Sequence, residues 1–269
     1  MISTNPTAPD TALLPGADPF SHRGSRVGAL LCHGFTGSPH SMRPWAEYLV
    51  EAGLSVEVPL LPGHGTVWQH MNLTTSDHWF ATAESALFDL AERCDEVHVM
   101  GLSMGGALSL RLAQEHPDLV TSVVLVNPSL TLEDPRLPFI APFPRLAARL
   151  LPSTPGIGSD VSRPDTGEGG YDRVPTAAAA TLPKLWRTVQ QGMSGLRAPI
   201  LAYRSIQDHV VGPRSLRILA RRAVDARVTI HLLRDSYHVA TLDHDAPTIF
   251  AGSLAFVREQ KRSGEGADR

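Results

Sequence analysis

Ser103 lies in Gly101-Leu102-Ser103-Met104-Gly105, a G-x-S-x-G spacing whose small residues suit a sharp turn between a strand and a helix. Such a turn holds its serine in a strained backbone conformation, at a cost on the order of 1–3 kcal/mol that the surrounding fold must enforce. The helix N-terminus that follows favours negative charge forming at the hydroxyl. A serine hydroxyl is a poor nucleophile near neutral pH, so acyl-transfer chemistry here needs a base within hydrogen-bond reach. Twelve histidines are available, and position separates them. His238, in Asp235-Ser236-Tyr237-His238, lies just past the last apolar run and is the candidate base. His98 and His231 fall inside apolar runs, and His244 lies near the start of the final helix; packing or solvent exposure accounts for all three. Asp208 follows the preceding apolar run and is the expected partner that fixes the imidazole tautomer and stabilises imidazolium. Asp235 and Asp243 are nearer to His238 along the chain, but that is not the criterion.

Negative charge on a reacting carbonyl oxygen needs N–H donors about 3 Å away, each worth on the order of 3 kcal/mol. Met104, directly after the serine, is one expected donor. The other is Phe35, in His33-Gly34-Phe35-Thr36-Gly37, where two glycines permit unusual backbone angles. His33 is expected to hold that loop by hydrogen bonding.

The elements that must bring these groups together alternate regularly. Val27–Cys32, Val56–Leu61, Val97–Met100, Val123–Val126, Ile200–Tyr203 and Val228–Leu233 read as strands, several of them apolar enough for burial on both faces. Between them run helical patterns: one from Ser38-Pro39 to Gly53, one over about 76–93, one from the elbow to about His116, one over Pro213–Arg222 and one over about 246–258. The alternation implies a doubly wound, mostly parallel α/β sheet, with functional groups collecting at the carboxyl ends of the strands. It fails between Asn127 and about Arg197, where ten prolines fall between Pro128 and Pro183 and no strand is evident. This stretch reads as an insertion over the active edge, with Leu130, Leu137, Phe139, Ile140 and Phe143 as its apolar content and a short helix over Pro144–Leu151. The expected division is a tail over 1–25, a core over 26–127 and 198–260, a cap over 128–197 and a flexible tail over 261–269.

Bulk properties narrow the function classes. The 269 residues are 42% hydrophobic and 19% charged, with a formal net charge of −3, as in an ordinary globular domain. Scattered basic residues give no nucleic-acid footprint. Cys32 and Cys94 make neither a disulfide framework nor a metal spacing, and Cys32 reads as a buried free thiol. No leader-like or bilayer-spanning run of apolar residues occurs, so a cytoplasmic location is the expectation. The chemistry calls for no metal or organic cofactor; the expected partner is a small-molecule ester, and the oligomeric state is open.

Taken together, His-Gly-Phe-Thr-Gly-Ser-Pro at 33–39, Ser-Met-Arg-Pro at 41–44, Gly-His-Gly-Thr at 63–66, Gly-Leu-Ser-Met-Gly-Gly at 101–106, Asp208-His209-Val210-Val211 and the run from Ser236 to Asp243 resemble the thermostable bacterial monoacylglycerol lipases and their carboxylesterase relatives. The resemblance implies the α/β-hydrolase fold with a small cap over a funnel for one acyl chain. It also implies that Ile157 and Glu168, in the cap, define the glycerol-binding end. The expected reaction is hydrolysis of carboxylic esters, monoacylglycerols or short-to-medium acyl esters, through an acyl-enzyme on Ser103. The alternatives are acyl transfer to another acceptor or carbon–carbon bond hydrolysis on the same three residues, or a non-catalytic binding protein on the same scaffold.

Overall fold

The computed structural model describes residues 11–132, 150–156, 158–164 and 166–265, with side chains to residue 260. Ile157, the apolar residues 137–143 and most of the helix expected over Pro144–Leu151 lie outside the described residues.

Seven strands form one sheet in the order β1-β3-β2-β4-β5-β8-β9. They are β1 (Phe20–His22), β2 (Val27–Cys32), β3 (Ser55–Val58), β4 (Glu96–Leu102), β5 (Val120–Val126), β8 (Ile200–Ser205) and β9 (Val228–Leu233). All neighbours pair in parallel except β1, which runs antiparallel to β3. The apolar runs are continuous because both faces are covered. Leu30, Val99, Val123 and Leu125 enter the core on one face, while Ala29, Leu31, Met100, Val124 and Val126 enter the core on the other. Helices α3 (Ser76–Ala91) and α4 (Met104–Glu115) supply the first face. Helices α1 (Arg43–Glu51) and α8 (Ala246–Glu265) supply the second, where Trp45 stacks on Phe250 at 6.2 Å. Between them in sequence come the single turn α2 (Trp68–Met71) and α7 (Pro213–Arg222).

The structure departs from the sequence expectation at several places. Residues 20–22, expected in a tail, add the edge strand β1. The second strand stops at Val58 instead of Leu61, because Pro59 follows it and has no N–H to give the ladder. The helix at Ser38-Pro39 opens as a 3-10 turn, Pro39–Met42, before α1 begins. The last helix runs past Arg258 to Glu265. The stretch expected to lack strands holds a two-stranded antiparallel hairpin of β6 (Ser153–Pro155) and β7 (Arg173–Pro175). Its strands are three residues each, too short for an alternating pattern to register. Beyond a turn, α5 (Thr176–Ala179), helix α6 (Leu182–Gly192) buries Leu182, Leu185, Trp186 and Val189 in the same core as α3 and α4. Asn72 fastens this region to the sheet side: its amide donates to Pro152 O at 2.8 Å, and its oxygen accepts from Ala177 N at 2.9 Å.

Helix α4 lies unusually close to the sheet. A Cβ on Gly105 would stand 2.0 Å from Cys32 O, and one on Gly101 would stand 2.3 Å from the Gly105 carbonyl. The main chain that Gly105 meets, at Cys32, belongs to β2 and cannot yield without breaking ladder bonds. Gly105→Ala is therefore expected to cost at least about 2 kcal/mol, read as a lower urea midpoint; an unchanged midpoint would mean that α4 is free to lift.

Candidate active site

Ser103 joins β4 to α4 at φ 55°, ψ −117°, a left-handed value that side chains rarely adopt. Three main-chain bonds enforce it. Ser103 N–H donates to Val126 O, and Ser103 O accepts from Gly106 and Ser129 N–H, each at 3.0 Å. The side chain is brought to a cavity of about 230 Å³ that His238, Gly34, Phe35 and Met104 also line. Ser103 and His238 are both buried, at 8% and 6% exposure.

His238 and Asp208 sit on the loops after β9 and β8, the two strands at this end of the sheet. His238 Nδ1 and Asp208 Oδ2 are 3.0 Å apart, within hydrogen-bond distance. The bond from nucleophile to base commonly tightens only once substrate is bound. Asp208 has a fully buried side chain. Burial alone would raise its carboxyl, but the His238 bond and charge, the Val211 N–H and Arg204 outweigh it and hold the group below the ordinary carboxylate value. Val210 and Val211 N–H donate to Oδ1 at 2.9 and 2.8 Å, while Arg204 pairs with Oδ2. The group is thus a charged acceptor aimed at the imidazole, the arrangement that fixes a tautomer and stabilises imidazolium.

The loop after β2 meets the serine directly: a Cβ on Gly34 would touch Ser103 Cβ at 3.5 Å. His33 is wholly buried behind it. Leu61 N–H donates to Nε2 at 3.2 Å, so Nδ1 carries the proton and donates to Gly34 O at 2.9 Å. Burial lowers His33 to about 4 against the opposing pull of the Gly34 carbonyl. Phe35 turns its ring away into an aromatic cluster with His64 and Trp79. Met104 opens α4, and its N–H has no partner inside the helix. Phe35 and Met104 both line the cavity that Ser103 reaches.

Glu168 reaches the same cavity from the cap, half-buried, with its Oε1 3.0 Å from where a Gly37 Cβ would be. Burial raises it to about 7; Asp160 adds to the rise and His238 opposes it. Leu132, Val174, Ala179, Leu182, Trp186 and Val211 give the cavity its apolar walls. His98 is buried in β4 against Ser122, and His231 is exposed on β9, so neither approaches the serine. Cys32 is a buried free thiol, pushed to about 12 by burial.

Sequence reasoning missed Asn127 and Asp160. Asn127, at φ 46° after β5, donates from its amide to His238 O at 2.8 Å and Ser205 Oγ at 2.9 Å, and accepts from Ser205 N–H at 2.8 Å. It grips the His238 carbonyl from the sheet side. Asp160 acts from the cap side, accepting His238 N–H at 3.1 Å. Asn127 lies in no motif, and Asp160, though it ends the family-like run Ile157-Gly158-Ser159-Asp160, was given no role by it; both act across more than 70 positions of sequence.

The parallel sheet with an antiparallel edge, a serine on a strained strand-to-helix elbow after β4, and a carboxylate and imidazole on the loops after β8 and β9 define the α/β-hydrolase fold. The chain belongs to the alpha/beta hydrolase family, whose model matches residues 29–251. It is 41% identical over 244 residues to the thermostable monoacylglycerol lipase of Bacillus sp. (strain H-257), covering 91% of this chain and 95% of that protein. It is 22% identical over 242 residues to a carboxylesterase of Bacillus subtilis (strain 168), covering 90% and 96%. Among solved structures, one reported for the metagenome-derived lipolytic enzymes LipS and LipT superimposes with a TM-score of 0.87 at 37% identity, covering 92% of this chain and 100% of that one. The fold is shared as well with the Paleococcus ferrophilus monoacylglycerol lipase, at a TM-score of 0.76 and 19% identity over 90% of this chain and 98% of that one. The resemblance read from the motifs holds along nearly the whole chain. Among the described residues, no helix is long and apolar enough to cross a membrane.

Burial of the histidines sets a pH signature. His33, His64 and His98 are lowered by burial, His33 and His98 to about 4, whereas an unfolded histidine titrates near 6.5. The unfolded chain then binds more protons below pH 6.5, so stability falls from there down through about pH 4. Asp208, held low, has the same sign. Glu168 has the opposite sign: raised from 4.5 to about 7, it loses stability as pH rises across that window. Three histidines outweigh one glutamate, so the urea midpoint is expected to drop between pH 6.5 and 4, and Glu168→Gln should steepen the drop. A midpoint constant down to pH 4 would contradict the buried neutral histidines.

Proposed function

We propose that Ser103, His238 and Asp208 carry out hydrolysis of carboxylic esters, with monoacylglycerols as the preferred substrate class. The single observation that carries the reading is the buried Asp208–His238 pair, 3.0 Å apart, on a cavity shared with Ser103. In the first step Ser103 Oγ bonds to the ester carbonyl carbon while His238 Nε2 takes its proton, and the carbonyl π electrons move onto oxygen. Phe35 and Met104 N–H groups stabilise that oxyanion. On collapse the bond to the leaving alcohol breaks, and His238 returns the proton to it, leaving an acyl-enzyme. Water then gives its proton to His238 and attacks the same carbon; collapse restores Ser103 and releases the acid. Asp208 keeps Nδ1 protonated throughout and stabilises the imidazolium.

Monoacylglycerol is favoured over simple esters by the cavity's mixed character. Apolar walls from α6 and the cap suit one acyl chain, and Glu168 offers the glycerol hydroxyls a polar partner. At about 7 its protonated form donates as well as accepts, so both forms are available near neutrality. Ile157 is assigned to the same end on family likeness. The relatives' names, monoacylglycerol lipase and carboxylesterase, agree with this reading. Within the insertion expected over 128–197, the residues before α6 act as the cap, a reading supported by the packing of α6 into the core beside α3 and α4.

Ser103→Ala is expected to abolish turnover and fluorophosphonate labelling while leaving the circular dichroism spectrum unchanged. Asp208→Asn should slow turnover by up to about 10⁴-fold; a near-normal rate would remove Asp208 from the reading. Glu168→Ala should reduce kcat/KM for a monoacylglycerol by about tenfold or more, and for p-nitrophenyl butyrate by much less. Equal losses on the two esters would take Glu168 out of glycerol recognition.

A further inference from the structure

Asp160 lies between the two strands of the β6–β7 hairpin, 7% exposed, and the reaction just described gives it no part. Its Oδ2 accepts two main-chain N–H groups, from His238 at 3.1 Å and from His209 at 3.2 Å. Its Oδ1 meets His209 Nδ1 at 2.8 Å, and its carbonyl accepts Val239 N–H at 3.0 Å. A carboxylate only accepts, so His209 Nδ1 carries the proton. The His209 ring in turn stands edge-on to Tyr237, centroids 4.6 Å apart. His209 directly follows Asp208, and Tyr237 directly precedes His238. One carboxylate oxygen therefore joins the main chain beside Asp208 to the main chain of His238.

We infer that Asp160 is a positioning residue: by bridging His209 and His238 N–H groups it keeps the Asp208 carboxylate and the His238 imidazole in hydrogen-bond register. The inference rests on the proposed roles of Ser103, Asp208 and His238. Asn127 already fixes the carbonyl of His238 from the sheet side. Without the Asp160 carboxylate the His238 N–H loses its partner and the bridge to His209 is gone, while Asn127 and Ser205 still hold the carbonyls of His238 and Tyr237. Misplacement of a catalytic group by about 1 Å costs up to about 100-fold in rate. The neighbouring cap chain is anchored independently: buried Asp243 accepts Ser162 N–H at 2.7 Å, Arg163 N–H at 3.1 Å and Tyr237 N–H at 2.9 Å. Loss of the Asp160 carboxylate thus leaves residues 162–163 in place and the domain able to fold.

The test compares full-length wild type, Asp160→Ala and Asp160→Asn on p-nitrophenyl butyrate and on a monoacylglycerol, with the low-field proton NMR signal of the hydrogen-bonded His238 Nδ1–H as a direct readout. Asp160→Ala is expected to lose about tenfold or more in kcat on both esters, to change KM less than about twofold, and to broaden or abolish the low-field signal. Asp160→Asn keeps an oxygen for the two N–H donors and should recover kcat to within about threefold of wild type with the signal restored. A loss confined to KM, an unchanged signal in Asp160→Ala, or Asp160→Asn as impaired as Asp160→Ala would each overturn the inference. Wild type that fails to label with a fluorophosphonate would overturn the triad itself. Wild type that labels and turns over beside an undiminished Asp160→Ala would overturn only the role of Asp160.

Discussion

Asp208 is a carboxylate removed from water, and the site is organised around making that tolerable. An isolated buried charge costs several kcal/mol and is kept ionised only by donors on its remaining lone pairs. Here four are provided: the imidazole, the Arg204 guanidinium and two consecutive main-chain N–H groups, Val210 and Val211. Arg204 comes from β8 itself and the two amides from the loop that follows, so the carboxylate's position is set by the sheet. The imidazole is then the adjustable member, and its loop has to be brought to the carboxylate. That requirement explains why the peptide of His238 is held on both of its polar atoms, by Asn127 at the carbonyl and by Asp160 at the N–H.

The nucleophile poses the converse problem, backbone strain in place of buried charge. Ser103 stays at positive φ because its N–H and C=O are committed to β5 and the chain just beyond it, through Val126 and Ser129, and because α4 starts at once. The helix can start there only if it comes nearly into contact with β2, where Gly105 leaves no room for a side chain. The same approach carries the free N–H of Met104 to the serine and places Gly34 against it. Elbow strain and helix packing are therefore one constraint seen from two sides.

This division explains what the sequence made legible. Two-sided burial turned β2, β4, β5 and β8 into largely apolar runs that could be read directly, while the exposed edge strand β9 was legible from its β-branched and apolar residues, Val228, Thr229, Ile230, Leu232 and Leu233; with them came the strand ends where Ser103, Asp208 and His238 lie. The elbow was legible because strain demands small residues at fixed offsets from the serine. Features held by single long-range bonds left no such trace. Asn127 and Asp160 reach His238 over separations of 111 and 78 residues, and an Asn after a strand or an Asp in a proline-rich stretch reads as turn chemistry. Strands β1, β6 and β7 have three residues each, too few for alternation to emerge. Helix α6 was hidden by its neighbourhood: Leu182, Leu185, Trp186 and Val189 keep helical spacing, but prolines on the N-terminal side drew the whole stretch into the cap.

The electrostatics of the cavity link the two ends of a bound ester. Glu168 is raised chiefly by burial, further by Asp160, and is drawn back down by His238. Those signs have a consequence during turnover. With a neutral imidazole, the proton on Glu168 is favoured and the group can donate to an alcohol oxygen. On the proposed reaction, positive charge arriving on His238 would shift Glu168 toward the carboxylate, which only accepts. A glycerol hydroxyl can follow that change by rotating from acceptor to donor, because a hydroxyl does both. A leaving group without free hydroxyls cannot, and would face an unpaired carboxylate as the tetrahedral intermediate forms. Discrimination between glycerol esters and simple esters would then belong to the transition state more than to initial binding, a placement that follows from the sign of one charge–charge interaction inside a mostly apolar cavity.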